Sequence, residues 1–346
     1  MAIKINLNSL ISLSWGTLAG TVYLFANATT ANALTFVLDF NDANQENTSD
    51  IFGTKITNFN VNPYGFAPTE FDLVTNSILD KVESHFYDIP TESNYFGDTT
   101  SPIPDGKELD IDFEIGEINA FTPSNQDSDY YFVQIGSAVS DEVTSLGQAG
   151  LNTARNSNGS VIPFYQGKVV GSVFTDNINR IGGLGDALKS GNLEATTNAI
   201  AGTLSHEIGH ALSLNHVYKG QSETFGNVPP LLGTGALDLP NGDRVKDRAF
   251  SFSAKTTGSR DEPQNNGVVR VVDNEPHIDV AREPFAPLPS VPANAPTVNH
   301  VEQLVNAIGL RDSVSVPWEF SPSVVMIVGG MGLISSRKKS RLGKKV

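Results

Sequence analysis

The chain has 346 residues, 39% of them hydrophobic and 18% charged, with 31 Gly and 19 Pro; it is long enough to bury a sizeable core and is neither a coiled coil nor a disordered chain by composition. The formal charge is −15, but Lys4 and the six Lys/Arg after Ser336 sit at the ends, so residues 34–336 hold 16 basic against 38 acidic side chains, a net −22; such a body repels nucleic acid and anionic membrane surfaces, and neither is expected as its partner. There is no cysteine, which rules out disulfides, thiolate zinc sites and a thiol latency switch and leaves any metal to His or carboxylate ligands.

The N-terminus begins with Lys4, continues through an apolar-rich stretch from Leu10 to Phe25 and reaches Ala31-Asn32-Ala33, a small-x-small pattern that signal peptidases accept, so 1–33 is expected to be a signal peptide. Leu34 to Phe40 then forms a short strand of the buried type. Phe71, Val74, Ile78, Val82 and Phe86 recur at three and four, marking an amphipathic helix over about 69–87 that stops before Pro90. Residues 108–118 alternate acidic and apolar, as a half-buried strand does, and Tyr130 to Gly136 is another strand. Ser160 to Asp176 reads as two strands meeting at a turn near Gln166-Gly167. Gly182, Gly183 and Gly185 break the chain before a helix from about Leu193 to Leu214.

Beyond His216 the chain is rich in Gly and Pro down to Asp238, with a helical turn expected near Asp243 to Phe250. From about 255 to 297 it is polar and carries a linker-like cluster of Pro284, Pro287, Pro289, Pro292 and Pro296. A last short helix is expected over 298–310. Two acidic stretches, Asp39-Asn41-Asp42 and Asp110-Asp112-Glu114, are candidate oxygen ligands for Ca2+, although neither has EF-hand spacing and a solvated acidic surface is the plainer account.

Residues 206–216 read His-Glu-Ile-Gly-His-Ala-Leu-Ser-Leu-Asn-His. His206 and His210 lie four apart on the expected helix, so their imidazoles share one side about 6 Å apart and suit a common tetrahedral metal. Glu207, one residue further round, reaches a water on that metal without replacing it, as a general base must. On an unbroken helix His216 would lie about 240° round and about 9 Å further along. The helix must therefore stop and turn back; many such sequences place a Gly three residues after the second His, where this chain has Ser213, so the left-handed backbone falls on Ser213, at a strain of about 1 kcal/mol, or on Asn215. His85, His277 and His300 carry no such spacing and are taken as ordinary.

This segment resembles the zinc-binding consensus of metzincin proteases, His-Glu-x-x-His-x-x-Gly-x-x-His, with Ser213 in the Gly place. The resemblance implies an α+β (α/β-like) catalytic domain over 34–255, in which a twisted mixed β-sheet lies above the active-site helix and a small irregular C-terminal subdomain follows. It implies Zn2+ held by His206, His210 and His216, Glu207 as the catalytic base, a protein or peptide substrate, and an edge strand that pairs with that substrate, placed here in 160–176. The Met-bearing turn of the family is represented by Pro230 to Pro240, with Leu232 in the Met place; Thr234 stands two residues on, so a tyrosine fifth ligand is not supported.

The C-terminus sets Pro317-Trp318-Glu319-Phe320-Ser321-Pro322 before an apolar run and six basic residues. This tripartite tail resembles bacterial PEP-CTERM sorting signals, which implies export, recognition by sorting machinery and a place at the cell envelope. Residues 256–315 are then an extension with a short helix, and 316–346 the sorting segment, whose hydrophobic stretch at about 323–336 is the chain's expected membrane contact. The combined expectation is a secreted or surface-sorted zinc metalloendopeptidase, a hydrolase. The alternatives are an inactive zinc-binding surface protein and an adhesion protein with an incidental histidine cluster.

Overall fold

The computed structural model describes residues 33–40, 54–95, 100–118, 120–121, 129–139, 145–150, 167, 169–181, 185–233, 241–256, 276–278 and 294–313. The expected signal peptide before Ala33, the first of the two strands placed in 160–176, Thr234 to Pro240 and the tail from 316 lie outside these residues, as does most of the Pro-rich stretch. All elements below belong to one compact unit that ends at Asp312. Among the described residues no helix is long and apolar enough to cross a membrane.

From the N-terminal side the elements are β1 (Leu34–Asp39), β2 (Ile56–Asn58), α1 (Phe71–Tyr87), β3 (Lys107–Leu109), β4 (Ile111–Ile115), β5 (Tyr130–Ala138), β6 (Gly147–Gly150) and β7 (Val169–Phe174). There follow α2 (Thr175–Asn179), α3 (Gly185–Lys189), α4 (Leu193–Ala211), β8 (Val217–Thr224), α5 (Asn241–Arg244), β9 (Ser251–Thr256), β10 (Pro276–Ile278), β11 (Thr297–Val298), α6 (His300–Ile308) and β12 (Leu310–Asp312). The class is α+β with mixed sheets. The expected strand at 108–118 is divided into β3 and β4 at Asp110, whose backbone N–H turns away to the carbonyl of Gly309.

The large sheet has the order β10-β6-β7-β5-β1-β4, with β2 on the far end of β5. Strands β4, β1, β5 and β7 are mutually parallel, while β6 runs antiparallel to β7. β1 lies between two parallel neighbours, which is why Phe36, Val37 and Leu38 read as a continuous apolar run instead of an alternation. One face of the sheet, through Phe36, Leu38, Val133, Ile135 and Val173, packs on α1 and α4. The other carries a small cluster of Val37, Phe132 and Val169. The first of the two strands placed in 160–176 lies outside the described residues, and the second, β7, is internal: on its outer side lie β10 and, paired directly with it, β6. Gly-Gln-Ala-Gly carries little strand propensity, so nothing local marked it.

Helix α1 presents Val74, Ile78, Val82 and Phe86 to the core, and Glu70 caps the turn before it by accepting from the Ala67 N–H at 2.7 Å. Helix α4 is started by Asn192, whose side chain accepts from the Ala195 N–H at 3.1 Å. It is buried on every side from Ala195 to Ala211, which explains its small residues: Ala199, Ala201, Gly202, Ser205 and Gly209 let neighbours approach closely. Residues 297–312, assigned by composition to the extension, return to the body. β11 pairs with β9, β12 pairs with β3, and α6 packs Val301 and Leu304 into the core.

Candidate metal centre

Helix α4 sets His206 and His210 on one face, and their Nε2 atoms are 3.0 Å apart. The helix then ends in a Schellman arrangement: the Leu214 N–H donates to the Gly209 carbonyl at 2.9 Å and the Ser213 N–H to the His210 carbonyl at 2.8 Å. Ser213 is the left-handed residue of that motif, with φ of 70°. The turn therefore falls where the family pattern has Gly, and Asn215 is not used for it. Leu214 folds back against Gly209, and the reversal brings His216 Nε2 to 3.0 Å from both other Nε2 atoms.

The ring orientations are fixed from behind. His206 Nδ1 donates to the Leu231 carbonyl at 2.6 Å, and His210 Nδ1 donates to the Leu214 carbonyl at 2.8 Å. With the proton on Nδ1, each Nε2 presents a lone pair to the centre. The His216 backbone is held by Thr256, whose hydroxyl donates to its carbonyl at 2.9 Å, and by the Val217 N–H bonded to the Leu232 carbonyl at 2.9 Å.

Lone pairs aimed at one another across 3.0 Å repel unless an electrophile lies among them. Tetrahedral zinc with Zn–N bonds near 2.05 Å calls for N···N separations of about 3.3 Å, a few tenths more than observed, so the donor set fits such an ion with little movement. All three rings are buried. Burial first, and the neighbouring His206 second, hold the His210 imidazole well below the ordinary range, so it is neutral at physiological pH, as a metal ligand must be. Among the described residues this is the one group of His, Asp and Glu side chains arranged to hold a metal ion. No protein-family model and no curated protein matches this chain. The functional reading therefore rests on the residues themselves.

Glu207 is buried next to the first ligand and lies directly beneath β6. A Cβ on Gly147 would fall 2.5 Å from Glu207 Oε1 and 2.7 Å from its Cγ, so only glycine lets the strand pass this close to the carboxylate. Leu232, given the place of the family's Met, is fully buried and would lie 3.1 Å from a Cβ at Gly209, under the last turn of α4.

Two histidines without motif spacing are also buried in the same unit. His85 of α1 meets the Ser205 hydroxyl at 2.8 Å through Nδ1 and lies 3.4 Å from Asp247 through Nε2, tying α1 to the residue before the first ligand. His300 is fully buried at the start of α6, and burial pushes it down to about 4. Neither has a local signature, because each acts across long sequence separations.

The calcium candidates find other company. Arg311 of β12 donates to Glu108 at 2.8 Å and to Asp112 at 2.7 Å, so a guanidinium is the cation these carboxylates face. Asp39 is fully buried and accepts from the Ile118 N–H at 3.3 Å, while Asn41 and Asp42 lie outside the described residues.

Proposed function

We propose that this chain is a zinc-dependent endopeptidase of the metzincin type. The observation that carries the reading is the convergence of three buried imidazole nitrogens at 3.0 Å with a buried glutamate one residue from the first of them. A structural zinc site needs no such base, and it is usually closed by a fourth protein ligand. Here three neutral ligands leave a coordination position for chemistry. The mixed sheet above α4, with an antiparallel strand nearest the glutamate, also supports the reading.

His206, His210 and His216 would hold the ion, which when bound supplies Lewis acidity toward a water and a scissile carbonyl. Glu207 accepts a proton from the attacking water and delivers it to the amine nitrogen of the leaving strand, so that one peptide bond breaks and one water is consumed. The Leu231 and Leu214 carbonyls hold the ligand rings in place, and β6, on the side where β10 pairs with it, offers backbone groups to an extended peptide. Export through the N-terminal segment and surface sorting through the C-terminal tail complete the proposal.

The test is zinc content by atomic emission together with cleavage of unfolded casein, with and without chelator, for the wild type and Glu207→Ala. One zinc per chain with chelator-sensitive cleavage that Glu207→Ala abolishes is the expected result. Zinc without cleavage would move the reading to an inactive zinc-binding surface protein; no zinc would end it.

A further inference from the structure

The edge of the large sheet beside Glu207 already has an occupant. β10 pairs antiparallel with β6, placing Pro276 opposite Gly150, His277 opposite Ala149 and Ile278 opposite Gln148. β6 is also the strand whose Gly147 touches the Glu207 carboxylate. A chain added to the outer edge of β6 thus runs beside the site, where an extended peptide would form its backbone hydrogen bonds. β10 comes from the polar, Pro-rich stretch that follows β9, and the other edge of β6 is closed by β7.

We propose that Pro276–Ile278 is the resident occupant of the substrate-docking edge, so that this stretch of the chain is a tethered competitor of peptide substrates. The inference rests on the endopeptidase reading above. Three features fit a competitor better than a permanent strand. The pairing spans three residues, far shorter than the five or six of an average strand. It begins with Pro276, which has no N–H to give the ladder and is tolerated only at such outer positions. It belongs to the same chain as the site, and a covalently linked segment acts at an effective concentration on the order of 1 mM. A weak three-residue pairing held at that concentration is occupied for part of the time and yields to a substrate that pairs over more residues. The device is a graded brake on substrate access and leaves the chemical step untouched.

The test uses the full chain carrying His277→Pro and Ile278→Pro together. In an antiparallel ladder alternate residues face the partner strand, so the two prolines remove the N–H at both parities. KM for an extended peptide substrate should fall about two- to five-fold with kcat unchanged. A synthetic peptide of residues 271–283, added to the double variant, should raise KM again as a competitive inhibitor. Unchanged KM, or a fall in kcat without a fall in KM, would overturn the proposal. Amide hydrogen exchange of Gln148, Ala149 and Gly150 in the zinc-loaded Glu207→Ala protein supplies a readout that needs no activity. Protection should be lost at those of the three whose N–H faces β10, the others staying bonded to β7, and the added peptide should restore it. If protection does not change, the docking itself is wrong. If the wild type cleaves nothing, the endopeptidase reading fails, and exchange alone decides whether β10 occupies the edge.

Discussion

Gly147 and Glu207 are so close that a single added methyl on the first would lie 2.5 Å from the carboxylate of the second. Glu207 is buried and has little room to retreat. Gly147→Ala should therefore push the carboxylate aside, at an overpacking cost of about 1–3 kcal/mol. A displacement near 1 Å lowers rate by roughly 100-fold. The expected outcome is a kcat loss of at least about tenfold with one zinc still bound, read from cleavage kinetics and atomic emission on the same sample. Equal kcat in the variant would show that β6 does not constrain the Glu207 carboxylate.

Ser213 holds φ at 70° to reverse the chain between His210 and His216. Ser213→Gly removes a strain of about 1 kcal/mol and gives back part of it as added freedom of the unfolded chain. A net gain of about 0.5 kcal/mol is expected. Ser213→Val places a branched side chain in the same conformation and should cost about 2 kcal/mol. Urea unfolding at constant slope measures both, and the opposite signs are the signature of a left-handed turn at this residue.

Leu232 lies beneath Gly209, and the carbonyl before it, that of Leu231, anchors His206. Leu232→Met conserves volume and should change stability by less than about 1.5 kcal/mol. Leu232→Ala leaves a cavity under the ligand helix and should cost about 3 kcal/mol. Zinc affinity, measured by competition with a chelating dye, should weaken in the Ala variant and hold in the Met variant.

His300 is fully buried and burial brings it to about 4 in the folded chain, against an unfolded value of about 6.5. Between these values the unfolded chain binds the extra proton, so stability is flat above about pH 6.5 and falls as the pH drops toward 4. His300→Gln removes the titrating group. In metal-free protein the wild type should lose about 2 kcal/mol more than this variant between pH 7.5 and 5, measured by urea unfolding. Parallel pH profiles for the two would show that His300 does not control the acid limb.

The elements legible in the chain were those with a local cause. Apolar residues at helical spacing fixed α1, side-chain caps from Asn192 and Asn299 started α4 and α6, and a continuous apolar run marked β1. His206, Glu207 and His210 fell on one helix because the helical repeat is local, and the need for a reversal before His216 followed from the same repeat. Which residue makes the reversal was a competition between Ser213 and Asn215, and the packing of Leu214 on Gly209 decided it for Ser213. The rest depended on partners far away in sequence. β6 is a strand because β7 pairs with it, and its glycine matters because Glu207, sixty residues later, lies against it. Arg311 answers Asp112 across 199 residues, and His85 reaches Ser205 across 120. Local periodicity carries no trace of such contacts, since they exist only once the chain has closed on itself.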